Sequence, residues 1–303
     1  MFRKSVVIDH TGMNPAAQKR LEELSEEVVF YEEIPQNEAE IIRRIGDADA
    51  VFVSYNTPVS GQVLRACPQI RYIGMCCTLY SEDSANVDIR TAREMGMVVT
   101  GIRDYGDDGV VEFVVSELVR LLHGFGHYRW RGQAYELNGI QAGIIGLGRT
   151  GRMIADGLRF FGAEVSYCGR TPKPEAESLG IRRKSLPDLL KESDIVCTCL
   201  PRNTIILEDS EFKQLGKGKI FFNTSVGVTF DVPALKKWMQ VEGNFYICDQ
   251  VGMGEYASEL ATLDRVIFRN RVAGHSAQCM ERLSEKVIAN AEAFLGTSAV
   301  KEK

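Results

Sequence analysis

The chain has 303 residues, of which 45% are hydrophobic and 25% are charged, and its net charge at neutral pH is −5. This composition is typical of a globular protein large enough for two domains. Charges of both signs are dispersed, which argues against a nucleic-acid-binding surface, and no apolar run reaches the roughly 20 residues needed to span a bilayer. The first residues lead into a predicted strand and not a signal peptide, so we expect a cytoplasmic protein.

Apolar runs alternate with amphipathic segments through the first hundred residues. Strands are predicted at residues 4–9, 28–31, 50–55, 70–75 and 97–100, and helices at 14–25, 38–45, 60–66 and 86–95. Such alternation is typical of a parallel sheet covered by helices on both faces. This first unit is predicted to end near residue 102.

A long apolar helix is predicted over residues 107–122, where it would lie between domains or at an interface. An aromatic stretch at 123–139 then leads into a second α/β unit. Its strands are predicted at 142–145, 163–168, 194–199, 218–223, 245–248 and 265–268, and its helices at 186–192, 208–215 and 231–239. The last amphipathic helix, at 276–295, has no obvious partner in this second sheet, so we expect it to return to the first domain.

The eight cysteines are scattered, and none has the paired spacing of a zinc site. Small buried apolar positions are the usual place for free cysteine. We therefore predict neither a disulfide scaffold nor a metal site.

A glycine-rich turn follows the strand at 142–145. It reads Gly146-Leu147-Gly148-Arg149-Thr150-Gly151, the GxGxxG spacing of dinucleotide-binding βαβ units. In such units the first glycine permits the tight turn, the second lets the backbone approach the pyrophosphate, and the third lets helix and strand pack closely. We predict a dinucleotide pyrophosphate at the N-terminus of the following helix.

The residues after the second strand of this unit indicate which dinucleotide is preferred. NAD-binding units usually place Asp or Glu about 20 residues after the glycines, where it holds the ribose hydroxyls. Here the chain reads Gly169-Arg170-Thr171-Pro172-Lys173 and offers no carboxylate. Because a guanidinium pairs well with phosphate oxygens, this sequence favours NADP. A solvated basic turn that accepts NAD is the alternative.

Several ordered segments resemble the D-isomer-specific 2-hydroxyacid dehydrogenases. They are Val110-Val111-Glu112-Phe113, Glu136-Leu137-Asn138-Gly139, Gly146–Gly151, Cys199-Leu200-Pro201, Phe222-Asn223-Thr224-Ser225, Cys248-Asp249 and Ala273-Gly274. The likeness spans essentially the whole chain. The tract at 167–175 is most similar to the NADP-preferring glyoxylate and hydroxypyruvate reductases of that family.

The resemblance implies an α/β protein with two Rossmann-like, doubly wound parallel-sheet domains and a cleft between them. A flavodoxin-like substrate domain would comprise residues 1–102 plus 275–303, and a cofactor domain residues 103–274, through which the chain would form a homodimer. Implied cofactor contacts are Gly146, Leu147, Gly148, Arg149, Thr150, Gly151, Gly169, Arg170, Thr171, Cys199, Leu200, Pro201, Thr224, Ser225, Val226 and Asp249.

The substrate carboxylate of the family usually sits on backbone amides of a small-residue loop. The corresponding residues here are Cys76, Cys77 and Thr78, and a longer, more polar segment, Leu79–Ala85, follows them. Arg103, on the connection between the predicted domains, is a further candidate substrate contact.

The catalytic positions differ from the family pattern. The family has Arg just after the Asn-Thr-Ser tract, His two residues before the Ala-Gly pair, and Glu five residues after the Asp corresponding to Asp249. This chain has Val226, Arg271 and Gly254 at those positions, with Glu255 one residue further along. All three family side chains are therefore absent or displaced.

Reduction of a 2-oxo acid requires a hydride donor, a cation near the substrate anion and a proton for the developing alkoxide. Arg271 offers charge and donors but does not release its proton at ordinary pH. One hypothesis is that Arg271, or Arg269, holds the substrate while His275 supplies the proton and Glu255 orients it. The alternative is that these side chains have structural roles, such as a salt bridge at Arg271.

We predict an NAD(P)-dependent oxidoreductase that acts on the CH–OH group of a small 2-hydroxy or 2-oxo acid with a rearranged catalytic set. The competing prediction is a cofactor-occupied regulatory or sensing protein that has lost efficient hydride transfer. Loss of the family Arg and His motivates this alternative. Substrate specificity would depend on the shape of the site and on the segment around residues 76–85.

Overall fold

The computed structural model describes residues 1–202 and 204–301. The chain divides into two compact units, which we call unit 1 (Met1–Tyr105 with Ser276–Lys303) and unit 2 (Gly106–His275). Each unit is built around one parallel sheet with accompanying helices, which confirms the predicted α/β class. None of the helices in the described ranges is long and apolar enough to cross a membrane.

Unit 1 alternates strands and helices along its first hundred residues. The strands are β1 (Phe2–Val7), β2 (Ser25–Phe30), β3 (Ala50–Val53), β4 (Tyr72–Thr78) and β5 (Val98–Ile102). The helices are α1 (Pro15–Glu23), α2 (Glu38–Ile45), α3 (Gly61–Ala66) and α4 (Ile89–Glu94), with a short 3₁₀ helix at Glu82–Ser84. The strand order β2-β1-β3-β4-β5, parallel throughout, is the flavodoxin-like doubly wound order.

Unit 2 continues the alternation with a longer sheet. Its strands are β6 (Gln141–Ile145), β7 (Glu164–Cys168), β8 (Arg182–Arg183), β9 (Ile195–Thr198), β10 (Ile220–Asn223), β11 (Phe245–Cys248) and β12 (Val266–Phe268). Its helices are α5 (Asp107–His123), α6 (Arg149–Phe160), α7 (Pro174–Ser178), α8 (Leu186–Glu192), α9 (Asp209–Leu215), α10 (Val232–Met239) and α11 (Ala257–Leu260), and a 3₁₀ helix spans Val251–Tyr256. The order β12-β11-β10-β9-β6-β7-β8 contains the Rossmann pattern, whose direction reverses between β6 and β9.

The long apolar helix α5 belongs to the core of unit 2. Its residues Val114, Leu118 and Leu122 are fully buried in the cluster that also contains Ile144 of β6. Gly157 allows α6 to lie close to α5, because a Cβ at this position would stand 3.1 Å from Cγ1 of Val111. Burial on this scale stabilises the unit by roughly 1.5–3 kcal/mol for each large apolar side chain.

The last helix, α12 (Ala277–Lys301), packs within unit 1. The Phe294 ring stacks on Phe2 with centroids 5.8 Å apart and lies 4.9 Å from the Tyr72 ring. At the other end of the contact, the Asn14 amide donates to the Ser284 hydroxyl over 2.9 Å. The two ends of the chain therefore share one core.

Several predicted boundaries were wrong, chiefly at short elements. The helix predicted over 86–95 begins only at Ile89, because the Asp88 side chain accepts the Thr91 amide at 3.0 Å and caps it. Helix α7 and strand β8 were not predicted at all. They contain five and two residues, too few for an apolar period to be recognised.

Candidate functional site

The carboxyl edge of the sheet in unit 2 carries the residues that the sequence suggests for cofactor binding. Gly146–Gly151 follow β6, Gly169–Thr171 follow β7, Cys199–Pro201 follow β9, Thr224–Val226 follow β10, and Asp249 follows β11. These five strands are neighbours in the sheet. In open α/β sheets, ligands bind beyond the carboxyl ends of the strands at the point where the strand order reverses. Here that point lies between the neighbouring strands β6 and β9.

The glycine turn has the three environments that dinucleotide binding requires. Gly146 has φ +95°, and a Cβ there would stand 2.4 Å from the carbonyl oxygen of Cys199. A Cβ at Gly151 would stand 2.2 Å from the carbonyl oxygen of Gly146, so only glycine permits this helix–strand approach. A Cβ at Gly148 would meet no atom within 4 Å. This open space at the start of the twelve-residue helix α6 fits a pyrophosphate bound by backbone N–H groups.

Asp107 restrains the side chains at the start of α6 and was missed by sequence reasoning. Its carboxylate accepts hydrogen bonds from the Thr150 hydroxyl and from Nε of Arg149, the latter over 3.2 Å. Arg149 and Thr150 are thus held by the first turn of α5, and the backbone of the turn stays open toward the candidate phosphate site. No sequence signal links positions 107 and 150, which are 43 residues apart.

Asn223, at the end of β10, ties together the loops beside the turn. Its Nδ2 donates to the carbonyl oxygens of Gly227 (3.0 Å) and Gly252 (2.8 Å). Its Oδ1 accepts from the Thr198 hydroxyl and the Ser225 amide, both at 3.0 Å. The residue is fully buried, so removal of this amide would leave several desolvated groups unpaired.

The hydroxyl of Ser225 extends the same network to the loop after β9. It accepts the Leu200 amide at 2.9 Å, and the Thr224 hydroxyl lies 3.2 Å from Sγ of Cys199. Two of the predicted cofactor segments, Cys199–Pro201 and Thr224–Val226, are therefore in direct contact.

Asp249 holds the loop that contains the displaced catalytic positions. Its Oδ2 accepts the Ala273 amide at 2.8 Å, and its Oδ1 accepts the Gly252 amide at 3.1 Å. Burial raises the pKa of the Asp249 carboxyl above its ordinary value. The backbone hydrogen bonds and the positive charge of a nearby His275 act in the opposite direction. Asp249 thus holds the backbone two residues before His275, and sequence reasoning had not considered this carboxylate as a partner of that imidazole.

The arginines near the end of unit 2 have different environments. Arg269 donates through Nε and Nη2 to the two carboxylate oxygens of Glu117, at 2.7 and 2.8 Å, and this contact raises the pKa of the arginine. The pairing with Glu117 favours a structural role for Arg269, and the alternative anchoring role considered for it stays a prediction. The exposed guanidinium of Arg271 has no hydrogen-bond or ion-pair partner within residues 1–202 and 204–301. The salt bridge considered for Arg271 is not formed among these residues.

Val226 and Glu255, the other departures from the family, are exposed. Val226 has 40% of its surface accessible and offers no polar side-chain atom. Glu255 follows Gly254, whose φ of +54° bends the 3₁₀ helix, and the role of Glu255 as orienter of His275 stays a prediction.

The substrate candidates of unit 1 lie at the end of β4. The expectation of a loop was wrong, because Cys76, Cys77 and Thr78 belong to the strand itself, where its register with β5 shifts between Gly74 and Thr78. The two cysteines are only 2% and 3% exposed, and burial raises the pKa of the Cys76 thiol. Thr78 is half-buried.

Arg103 braces the polar segment that follows β4. Its Nε donates to the carbonyl oxygen of Leu79 at 2.7 Å, and its Nη2 donates to that of Tyr80 at 2.8 Å. The guanidinium also lies over the Tyr80 ring, 5.3 Å from its centroid. The contacts of the Arg103 guanidinium with Leu79 and Tyr80 therefore stabilise the segment after β4. A direct contact of Arg103 with the substrate stays a prediction.

Comparison with known proteins places the chain in a family. The family model for the D-isomer specific 2-hydroxyacid dehydrogenase NAD binding domain matches residues 115–273. A hydroxypyruvate reductase of Blautia hydrogenotrophica is 31% identical over 245 residues, covering 74% of this chain and 74% of that protein. A glyoxylate reductase of Thermococcus kodakarensis is 27% identical over 280 residues, covering 84% and 82% of the two chains.

A solved structure shares the fold of this chain over almost its whole length. The crystal structure of TT0316 protein from Thermus thermophilus superposes with a TM-score of 0.83 at 22% identity and covers 97% of both chains. The family model and the 31% identical relative together support the assignment made from the ordered motifs. The chain belongs to the D-isomer-specific 2-hydroxyacid dehydrogenase family.

Proposed function

We propose that the protein is an NADP(H)-preferring oxidoreductase that interconverts a small 2-oxo acid and its 2-hydroxy acid. The observation that carries this proposal is the open backbone at Gly148, at the start of α6 and beside the point where the strand order reverses. Related proteins are a hydroxypyruvate reductase and glyoxylate reductases, which supports a short 2-oxo acid as substrate.

The preference for NADP is supported by the loop after β7. Arg170, Thr171 and Lys173 are exposed, and residues 169–173 include no Asp or Glu that could hold both ribose hydroxyls. The Arg170 guanidinium has no ion-pair partner among the described residues, so its donors are available to a 2′-phosphate.

Substrate binding is proposed to use Arg271 in place of the family arginine. A bound nicotinamide supplies the hydride. The donors of Arg271 are unpaired among the described residues, and they would hold the substrate carboxylate and polarise the carbonyl. In unit 1, Thr78 and the backbone of Cys76 and Cys77 are the proposed substrate contacts, since both thiols are buried.

Proton transfer is proposed to use His275, with Asp249 as its charged partner. Imidazole exchanges a proton near neutral pH, whereas a guanidinium does not. The Asp249 carboxylate is fixed by the backbone amides of Gly252 and Ala273, the second of which lies two residues before His275, so we propose it as the group that orients the imidazolium. Such support is the usual requirement for a general acid.

A homodimer formed through unit 2, in the cytoplasm, is part of the proposal. The aromatic rings of Phe125, Phe160 and Phe161 are 70%, 84% and 45% exposed. Exposed apolar patches often mark protein–protein interfaces. Phe160 and Phe161, at the end of α6, lie with ring centroids 5.2 Å apart, and Phe125 lies just after α5.

The proposed activity is tested by mixing the protein with NADPH and a panel of 2-oxo acids and following the absorbance of the reduced nicotinamide. We expect oxidation of NADPH with glyoxylate, hydroxypyruvate or another small member, and slower turnover with branched and aromatic acids. NADPH that binds tightly but is oxidised with no member of the panel would contradict the proposal and favour a sensing protein.

Gly148→Ala is predicted to separate cofactor binding from stability. Alanine tolerates φ −78° and ψ −160° and meets no atom, so the thermal midpoint should not change. The methyl group would fill the space for the pyrophosphate and weaken NADPH binding by about tenfold or more. Gly132→Ala, in an equally open loop, is the matched control and should bind normally. Unchanged NADPH affinity in Gly148→Ala would place the cofactor elsewhere.

His275→Gln is predicted to slow turnover by about 100-fold or more while NADPH binding is retained. Because the donor must be protonated, the wild-type rate of reduction should fall as pH rises, and the variant should lose this dependence. His123→Gln is the control, since the His123 ring stacks on Phe125 at a centroid distance of 5.0 Å. An unchanged rate and pH profile in His275→Gln would exclude it as the proton donor.

Phe160→Glu is predicted to dissociate the dimer, because it puts a charge into an apolar contact. Sedimentation equilibrium should give twice the chain mass for the wild type and the chain mass for the variant. Leu179→Glu, at a residue 50% exposed after α7, is the control and should stay dimeric. A monomeric wild type at micromolar concentration is the result that contradicts the assembly.

A further inference from the structure

Arg183 contacts the loop proposed to bind the 2′-phosphate and was not recognised from the sequence. It lies on β8, where it pairs with Tyr167 of β7. Its Nη2 donates to the carbonyl oxygens of Gly169 and Arg170, at 3.1 and 3.3 Å. The side chain therefore holds the first two residues of the loop from outside.

The other end of the loop is fixed by a buried phenol. The Lys173 amide donates to the Tyr167 hydroxyl at 2.7 Å, and that hydroxyl donates to Oε1 of Glu177 at 2.6 Å. The Tyr167 side chain is fully buried, and burial raises its pKa, so the hydroxyl stays protonated. Because both ends of the loop are fixed by hydrogen bonds, its conformation is set before a ligand binds. Less conformational entropy is then lost on binding.

The positive charges around this loop are not in ion pairs with carboxylates of the described residues. Arg170, Lys173 and Arg183 are exposed, and their side chains form no ion pair within the described ranges. The nearby Glu177 carboxylate is occupied by Tyr167 and the Lys173 amide, and Lys184 is paired with Glu192. A dianionic phosphate would satisfy three cations that otherwise repel one another.

We infer that Arg183 is a specificity-determining residue for the 2′-phosphate of NADP(H), which it serves by holding the Gly169–Arg170 backbone and by adding positive charge. This inference rests on the proposed preference for NADP. Arg183 uses only Nη2 for the loop carbonyls, and its Nε and Nη1 groups have no partner among the described residues. A guanidinium carries five donors, so one side chain can hold the loop and face the phosphate.

The inference is tested by measuring the dissociation constants of NADPH and NADH for the wild type, Arg183→Gln and Arg183→Lys by titration calorimetry. Arg183→Gln should weaken NADPH binding by about tenfold or more and change NADH binding by less than about twofold. The NADPH affinity of Arg183→Lys should lie between those of the wild type and Arg183→Gln, because an ammonium keeps the positive charge but cannot reproduce the planar set of donors of a guanidinium. The loss should shrink as salt is raised, since exposed charges are screened.

The control is Arg182→Gln, the neighbouring exposed arginine, whose side chain points to the other face of β8. It should leave the ratio of the two affinities unchanged. Arg170→Ala should lower the ratio of NADPH affinity to NADH affinity, and it serves as the positive control. Thermal unfolding of each variant checks that it is folded, and Arg183→Lys decides the question if Arg183→Gln does not fold.

Two results would overturn the inference, and they are distinguishable. If the wild type binds NADH as tightly as NADPH, the proposed cofactor preference fails and the role of Arg183 fails with it. If the wild type prefers NADPH but the variants at 183 weaken both nucleotides equally or neither, the preference stands and Arg183 is only a structural brace.

Discussion

The cofactor edge of unit 2 depends on one buried amide, the side chain of Asn223. Its four hydrogen bonds join the end of β9 to the loops after β10 and β11; three of them are buried, and the one to the Gly227 carbonyl is partly buried. Such bonds are costly to lose because each unpaired group would be desolvated, at about 1–3 kcal/mol. Asp249 repeats this arrangement one strand further along and reaches the segment that carries Arg271 and His275. The side chains of Asn223 and Asp249 therefore fix the backbone of these loops, and the surface of the loops stays accessible to a ligand.

Cofactor binding and catalysis depend on different properties of the chain. Binding at the glycine turn requires backbone geometry, and Gly146, Gly148 and Gly151 each supply the conformation or space that it demands. Proton transfer requires a particular side chain at a particular place, and here the family pattern is broken. On the proposed function, an imidazole and a carboxylate are brought together again from His275 and Asp249. The positive charge near the loop after β7 likewise comes from two places in the sequence, Arg170 and Lys173 of the loop itself and Arg183 of β8.

Fold and cofactor turn could be predicted because their signals are local. Apolar periodicity over elements of average length and the GxGxxG spacing both lie within a few residues of what they predict. Strand β8 has two residues and helix α7 has five, which is too short for a periodic apolar pattern. Because β8 could not be predicted, the contact of Arg183 with the loop after β7 could not be predicted either. The hydrogen-bonding roles of Asp107 and Asn223 could not be predicted for another reason, because their partners are distant in sequence or lie in loops.

The sequence by itself determines two parallel α/β units, a dinucleotide-binding turn, the absence of an acidic residue after β7 and the loss of the family Arg and His. Each of these is a matter of residue identity or of local spacing. Only the tertiary structure decides that Arg269 is paired with Glu117, that Arg271 is left without a partner among the described residues, and that Asp249 accepts the backbone amide of Ala273, two residues before His275. The physical reason is that pairing energy falls steeply with distance, and the distance between side chains far apart in sequence is set by how the strands order in the sheet.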